Sequence, residues 1–366
     1  IPGSLVGSEM CIRDSHLPKI FANIWVPDIS NHQGVEMTNN TVEQNDNEFS
    51  KSGEKSNHRF PIWYHPIYTD GIHPDARFPR ERYTKLVEKL KTPEHSKKFD
   101  IKQPSKASRN QLVIAHDPNY VDNFLNQTLT EKEIKRIGLT PWTPDIIPRT
   151  LLLMGGAIAA LDHVMENGGI AGNMAGGTHH AHRDFGSGYC IFNDLAVCAL
   201  LALSKYQLTK IAVIDLDVHQ GDGTATILRN IDEVLTISVH CQKNFPFRKS
   251  ESDYDLDLPA NAGDDEVLEV VARALNITKQ FDPELILFQA GVDGLATDAL
   301  GKLNMSRQGM SKRNQMVFDL VDELSIPAVV FMGGGYSDPI SHTIDAFADL
   351  FLSACQANSQ ILSKAD

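Results

Sequence analysis

The sequence predicts an α/β domain built on a parallel sheet with helices over both faces. Three observations carry that reading. Short apolar runs such as "KIAVIDLD", "PELILFQAG" and "IPAVVFMGGG" have strand length and no wet face. Helix-length stretches alternate with them, the pattern of βαβ units and a parallel sheet. No internal repeat and no second change of composition interrupts the alternation, so a single domain over residues 58–366 fits a chain of 366 residues.

The stretch before it has a different character. "IPGSLVGSEMCIRDS" has neither helical nor strand periodicity and resembles a cloning- or sequencing-derived leader. "NHQGVEMTNNTVEQNDNEFSKSGEKSNH" is polar and poor in aliphatic residues, so it cannot offset the entropy of ordering. Residues 1–57 are therefore expected to be a disordered or cloning-derived leader.

Order begins at "RFPIWYHPIYTD", and "FPRERYTKLVEKLKT" carries helical spacing through Tyr83, Leu86, Val87 and Leu90. "QLVIAH" reads as the first strand, followed by the helix "RTLLLMGGAIAALDHVMEN" and the strand "GGIAGN". The helix "NDLAVCALLALSKY" precedes the strands "KIAVIDLD" and "EVLTISVH". "DDEVLEVVARALNITKQF" and "SRQGMSKRNQMVFDLVDEL" are helices on either side of "PELILFQAG", and "IPAVVFMGGG" is the last strand. Ligands of such sheets bind outside the carboxyl ends of the strands. Those ends read "HDP", "GGTHHA", "DLDVHQGD", "SVH", "QAGVDG" and "GGGY", and they hold nearly all the unusual polar residues.

Charge and composition narrow the partners. The 47 acidic against 34 basic residues give a net charge of -13, which argues against a nucleic-acid surface but suits a cationic substrate. No apolar run is expected to reach membrane-spanning length and no signal-peptide pattern appears, so a cytoplasmic protein is expected, or a nuclear one in a eukaryote. The 5 cysteines are odd in number and lack CxxC spacing, as reduced thiols do.

The chemistry starts at "DLDVHQGDG". Strand alternation points Asp215, Asp217 and His219 the same way, with Leu216 and Val218 opposite. Acids and an imidazole converging there would repel unless a cation neutralised them. Asp293 in "QAGVDG" would complete a site of two carboxylates and one histidine, which leaves a position open for water or substrate. In "GGTHHAHRDFGSGYC", His179 and His180 sit at the same sheet edge, where an imidazole could take a proton from a polarised water. Asp215 and Asp222 are the acids available to orient them. The glycines of "FMGGGYSD" bring Tyr336 to the edge, where a phenol could donate to a developing oxyanion.

"GGTHHA", "SGYCIFND", "DLDVHQGDGT", "GVDGLATDALG" and "GGGY", in this order, resemble the zinc-dependent histone deacetylase family. The resemblance runs from about Arg59 to the C-terminus and is nearest to class IV or bacterial acetoin-utilization-type members. It implies the arginase/deacetylase fold with its central eight-stranded parallel sheet, and a catalytic domain at 58–366. It also implies Asp217, His219 and Asp293 as ligands of zinc, or of ferrous iron. His180 is implied as general base and acid, and His179 as its electrostatic partner. Asp222 and Asp215 stand behind these two histidines, and Tyr336 polarises the carbonyl. Gly188, Tyr189, Phe245, Gly334 and Gly335 are implied as tunnel walls. Asp215, Asp217, His219, Ser238 and Val239 are implied to bind a structural potassium ion.

Two departures stand out: Tyr189 replaces the phenylalanine usual at that wall, and no equivalent of the family's substrate-binding rim aspartate is found. The expected activity is hydrolysis of the amide of N-acyl-lysine in proteins, with acetylpolyamines or other small acylated amines as the alternative substrates. A non-catalytic acyl-lysine module would require a missing site residue. A two-manganese ureohydrolase is disfavoured because Gly221 stands two residues after His219, where a further acid would be needed.

Overall fold

The computed structural model describes residues 59–365, which all lie within one compact unit, Lys55–Asp366. The leader expected over 1–57, with Cys11, lies outside the described residues. In chain order the elements are β1 (Phe60–Trp63), α1 (Ile67–Asp70), α2 (Arg82–Leu90), β2 (Phe99–Lys102), α3 (Arg109–Leu112), α4 (Pro118–Leu125), α5 (Glu131–Ile137) and α6 (Ile146–Asn167). There follow β3 (Ile170–Asn173), α7 (Asp194–Tyr206), β4 (Ile211–Asp215), α8 (Asp222–Leu228), β5 (Val234–Cys241) and β6 (Tyr254–Leu258). The last are α9 (Asp264–Phe281), β7 (Leu285–Gln289), α10 (Arg307–Leu324), β8 (Ala328–Phe331) and α11 (Ser341–Ala365).

These strands form one 8-stranded sheet in the order β2-β1-β3-β8-β7-β4-β5-β6, with every neighbouring pair parallel. The apolar runs of β3, β4, β5, β7 and β8 are buried along their whole length, as strands covered on both faces must be. Helices α6 and α7 pack together against the sheet, and α9, α10 and α11 form a second packed group. Gly155 lets α6 approach closely, since a Cβ there would lie 1.7 Å from the Ser105 carbonyl oxygen.

Because β7 and β8 insert between β3 and β4, four strand exits lie side by side although they come from distant stretches of chain. Their ends are level: Asn173 pairs with Phe331, Phe331 with Gln289, Gln289 with Asp215 and Asp215 with Ser238. Loops leaving that row converge on one place.

Three expectations need correction. "QLVIAH" is not a strand: Ser108 and Gln111 cap α3 reciprocally, and Asp117 with Pro118 starts α4, so "HDP" opens a helix. β1, β2 and β6 were not read as strands. The edge strands β2 and β6 carry Asp100, Lys102, Asp255 and Asp257, charges that break an apolar run and also protect a sheet edge. Finally, α6 is long and apolar enough to cross a membrane, at 22 residues and a hydropathy of 1.2. It is a core helix, with 67% of that window buried within the protein. Cys190, Cys198, Cys241 and Cys355 are free and buried.

Two buried histidines tie stability to pH. His116 is fully enclosed; its Nδ1 bonds the His182 carbonyl at 2.9 Å and its Nε2 accepts the Asn193 N–H at 2.9 Å. Burial holds its pKa down at about 4, and burial with nearby Lys249 does the same for His240. Both groups stay neutral when folded but take up protons on unfolding. Their stabilisation is complete above pH 6.5 and falls as the pH drops toward about 4. Each should steepen the loss by about 1.4 kcal/mol per pH unit. Urea unfolding midpoints measured across that window should fall with the pH at constant m-value, and a flat profile would contradict this assignment.

Candidate functional site

β4 ends at Asp215, so Asp217 and His219 lie in the turn beyond it rather than along the strand as alternation suggested. Their convergence comes from side chains accepting backbone N–H groups two residues ahead. Asp215 Oδ1 accepts from Asp217 N at 3.1 Å, and Asp217 Oδ1 from His219 N at 3.0 Å. Each carboxylate is then fixed from behind: Asp217 Oδ2 accepts from Gln289 Nε2 at 3.0 Å and Gly334 N at 2.8 Å, and Asp293 Oδ1 from Val218 N at 3.0 Å. Gly334 permits this, since a Cβ there would lie 1.9 Å from Asp293 Oδ2.

The remaining vertices face one another. His219 Nδ1 is 3.0 Å from Asp217 Oδ1 and 3.1 Å from Asp293 Oδ2, and one donor atom from each residue lies within 4.8 Å of the others. Burial and the nearby Asp217 push the Asp293 carboxyl to a higher pKa, the mark of like charges crowded in a dry place. Burial opposes a charge on His219, yet the two carboxylates raise its pKa to about 10. Two buried acids and an imidazole converging on one point suit a divalent cation held by three protein donors. Beneath them sits Arg313, which is 1% exposed. Its Nη1 donates to the carbonyls of Leu216 (3.0 Å) and Gly291 (2.7 Å), and its Nη2 to that of Ala290 (3.2 Å).

The adjacent histidines are backed as expected: His179 Nδ1 lies 2.7 Å from Asp215 Oδ2, and His180 Nδ1 2.7 Å from Asp222 Oδ1. Their rings are 4.1 Å apart, but their surroundings drive them in opposite directions. Burial would lower both; Asp215 and Asp217 overcome it at His179 and raise its pKa to about 9. At His180, burial and the charge on His179 prevail and lower the pKa to about 4. His180 therefore stands neutral at pH 7 with Nε2 unprotonated, since Nδ1 donates to Asp222. His182, not singled out in the sequence, shares Asp222 through Nε2 at 3.1 Å.

A cavity of about 500 Å³ opens over these groups, lined by His179, His180, Asp217, His219 and Tyr336 and walled by Gly188, Tyr189, Phe245 and Gly334. Phe245 stands edge-on to His180 at 4.8 Å. Tyr189 holds φ at 68°, costly for a side chain with a Cβ, while its N–H donates to the Ile137 carbonyl at 2.7 Å. That backbone sets its ring 6.0 Å from Tyr336. Gly335 is corrected: it is not a cavity wall but faces Thr343 and Phe347, and its carbonyl accepts from Arg82 Nη1 at 3.2 Å. The guanidinium of Arg82 lies 5.6 Å from the Tyr336 ring. Burial keeps the Tyr336 phenol protonated well above its ordinary range.

Sequence reasoning missed two further residues. Asp298 accepts backbone N–H groups from Tyr336 (2.6 Å), Leu300 (2.9 Å) and Gly301 (2.8 Å), tying the loop after β7 to the loop after β8. Asn244 Nδ2 lies 3.4 Å from His219 Nε2 and donates to the Leu300 carbonyl at 2.8 Å. "DALG" and "KNF" gave no signal of this, because both roles depend on loops brought together by the sheet. Of the residues implied for potassium, Asp215 and Ser238 are paired in register, Val239 follows on β5, and Asp217 and His219 occupy the adjoining turn.

The family model described as histone deacetylase domain matches residues 76–350. An uncharacterized protein of Picosynechococcus sp. is 39% identical over 282 residues, covering 77% of this chain and 93% of its own. Histone deacetylase 2 of Arabidopsis thaliana is 31% identical over 64% of this chain, which spans 63% of its length. Human histone deacetylase 1 is 30% identical over 66% of this chain, which spans 53% of its length. In fold, the chain resembles the crystal structure of acetylpolyamine aminohydrolase from Burkholderia pseudomallei. The TM-score is 0.67 at 18% identity, covering 80% of this chain and 98% of that one. A histone deacetylase domain matched over most of the chain leads to one conclusion: this chain belongs to the histone deacetylase family.

Proposed function

We propose that the chain hydrolyses the amide of N-acyl-lysine side chains in proteins. One observation carries this reading: two adjacent histidines, biased toward opposite protonation states, line the same cavity as Asp217 and His219, which converge with Asp293 as three candidate metal ligands. Titratable neighbours whose pKa values are pushed apart are how one site divides acid and base roles.

Asp217, His219 and Asp293 would hold a divalent cation, zinc by family resemblance or ferrous iron. When bound, such an ion supplies Lewis-acid charge to the substrate carbonyl and lowers the pKa of water. The chain's own groups do the rest. His180 Nε2 takes a proton from the attacking water as the carbon–oxygen bond forms, and Asp222 holds the ring through Nδ1. The Tyr336 hydroxyl, kept protonated by burial, donates to the oxyanion, and the charged His179 stabilises it from the side. The carbon–nitrogen bond then breaks, and the proton held on His180 passes to the departing amine. The register of Asp215 against Ser238 is the support for a structural potassium ion at that strand end.

The cavity's charge favours acyl-lysine over acetylpolyamines. The chain is acidic as a whole, but Arg82, Arg136, Arg149 and Lys302 line the cavity and, among the described residues, Asp217 is its one lining carboxylate. A substrate with further free amines gains nothing from such a lining.

Metal-stripped protein should release no acetate from an acetyl-lysine peptide, and restored zinc or ferrous iron should bring activity back. His180→Ala should lose on the order of 10²- to 10⁴-fold in kcat. Persisting activity in that variant would remove the assigned base. Tyr336→Phe should cost about 10²-fold or more in kcat while metal binding is retained. Asp298→Ala frees the Tyr336 backbone N–H, so kcat should fall by up to about 10²-fold with KM little changed. Added to Tyr336→Phe it should cost little more, whereas fully multiplicative losses would show that Asp298 does not act through Tyr336.

A further inference from the structure

Among the described residues, Phe247, Tyr254 and Leu300 are the exposed large hydrophobics, with Phe247 90% exposed. Single apolar residues scattered on a surface carry no message. Here two of these three, Phe247 and Leu300, line the same cavity as the histidines, so exposed apolar surface is concentrated at its mouth.

Phe247 is also held in place. Lys249 Nζ donates to the carbonyls of Asn244 (2.7 Å) and Pro246 (3.0 Å), bracing the loop from both ends of "NFP". The Phe247 ring stands edge-on to Phe245 at 6.4 Å, and Phe245 in turn packs on His180. Asn244 joins this loop to the other side of the mouth, with Nδ2 on the Leu300 carbonyl and Oδ1 accepting the Lys302 N–H at 3.0 Å. An apolar platform fixed in advance binds with less loss of freedom than a mobile one. Its exposed charged neighbour is cationic: Lys302 is exposed and its Nζ donates to the carbonyl of Lys243, at 2.9 Å, while Asp298, also beside Leu300, is engaged by three backbone N–H groups. Across the cavity Arg136 lies over the Phe185 ring at 4.5 Å; Glu133, one turn earlier, is occupied in the cap of α5.

We propose that Phe247 and Leu300, flanked by Lys302, form a recognition rim for the polypeptide carrying the acyl-lysine. The rim selects a segment with an apolar side chain next to the modified lysine and acidic rather than basic residues beyond it. This rests on the hydrolase reading above and adds the substrate's sequence character. It takes the place of the rim aspartate whose equivalent the sequence lacks, using apolar contact where an acid would grip the substrate backbone.

The test uses the full chain loaded with zinc and matched acetyl-lysine peptides whose neighbours are Leu-Glu, Gly-Glu or Leu-Arg. A single acetylated lysine with blocked ends is too short to reach the rim and reports hydrolysis alone. Wild-type kcat/KM should favour the Leu-Glu peptide over the Gly-Glu peptide on the order of tenfold, the scale of burying one such side chain. Phe247→Ala should collapse that ratio toward one. Lys302→Glu should reverse the preference for Leu-Glu over Leu-Arg. Ratios unchanged in both variants would overturn the rim, while turnover of the blocked lysine would leave the hydrolase reading standing. If no substrate is turned over, calorimetric binding of the same peptides decides. Weaker binding of Leu-Glu to Phe247→Ala than to wild type supports the rim and sinks the hydrolase reading, and equal binding overturns both.

Discussion

Carboxylates placed in a dry interior are the constraint on which the structure turns. Asp215, Asp217 and Asp293 are all buried at the ends of β4 and β7, and such charges are expensive there unless paired or bound to a metal. Each neighbouring feature answers that cost. Arg313 lies under the turns, backbone N–H groups take the rear oxygens, and imidazoles stand between the acids. The oxygens of Asp217 and Asp293 that face His219 converge on a point that could hold a cation. Removing any support would leave a buried charge without its partner, so geometry and stability are coupled.

The sheet order explains how so many supports reach one point. Inserting β7 and β8 between β3 and β4 places four loops next to each other, and each contributes a different function. The loop after β3 carries the histidine pair, and the turn after β4 carries two of the three candidate metal ligands. The loop after β7 supplies Asp293 and Asp298, and the loop after β8 supplies Tyr336. Rigid strands fix where each loop leaves, and short-range contacts such as the Asp298 clamp fix where it arrives. Reactive groups held on such a frame need little reorganisation when a substrate enters.

Much of this was legible in sequence because the decisive groups sit at fixed short offsets. Asp215, Asp217, His219 and Asp222 fall within one turn, and His179 with His180 within another, so local pattern alone marked them. The central strands were legible for the same reason, being unbroken apolar runs. Residues whose roles depend on meeting another loop were not. Asn244, Asp298 and Arg313 are ordinary polar residues until the fold brings carbonyls and N–H groups to them. β2 and β6 were hidden by the charges an edge strand needs. "QLVIAH" misled because its apolar run is as short as a strand, and capping by Ser108 and Gln111 decided its form. Gly335 followed its motif into the tunnel on paper, but the turn directs it toward Phe347.

The interleaved strand order also governs how the protein comes into being. As the chain is synthesised from its N-terminus, β3 and β4 emerge well before β7 and β8, the strands that will separate them. Until then the edges of β3 and β4 that will face each other across the gap have no neighbour, and both strands, buried along their whole length in the finished fold, are apolar up to their last residues, Asn173 and Asp215. Open apolar edges of this kind invite pairing with the wrong partner. A ribosome-bound chain that stops short of Phe331 lacks β8 and so cannot complete the row of strands between β3 and β4.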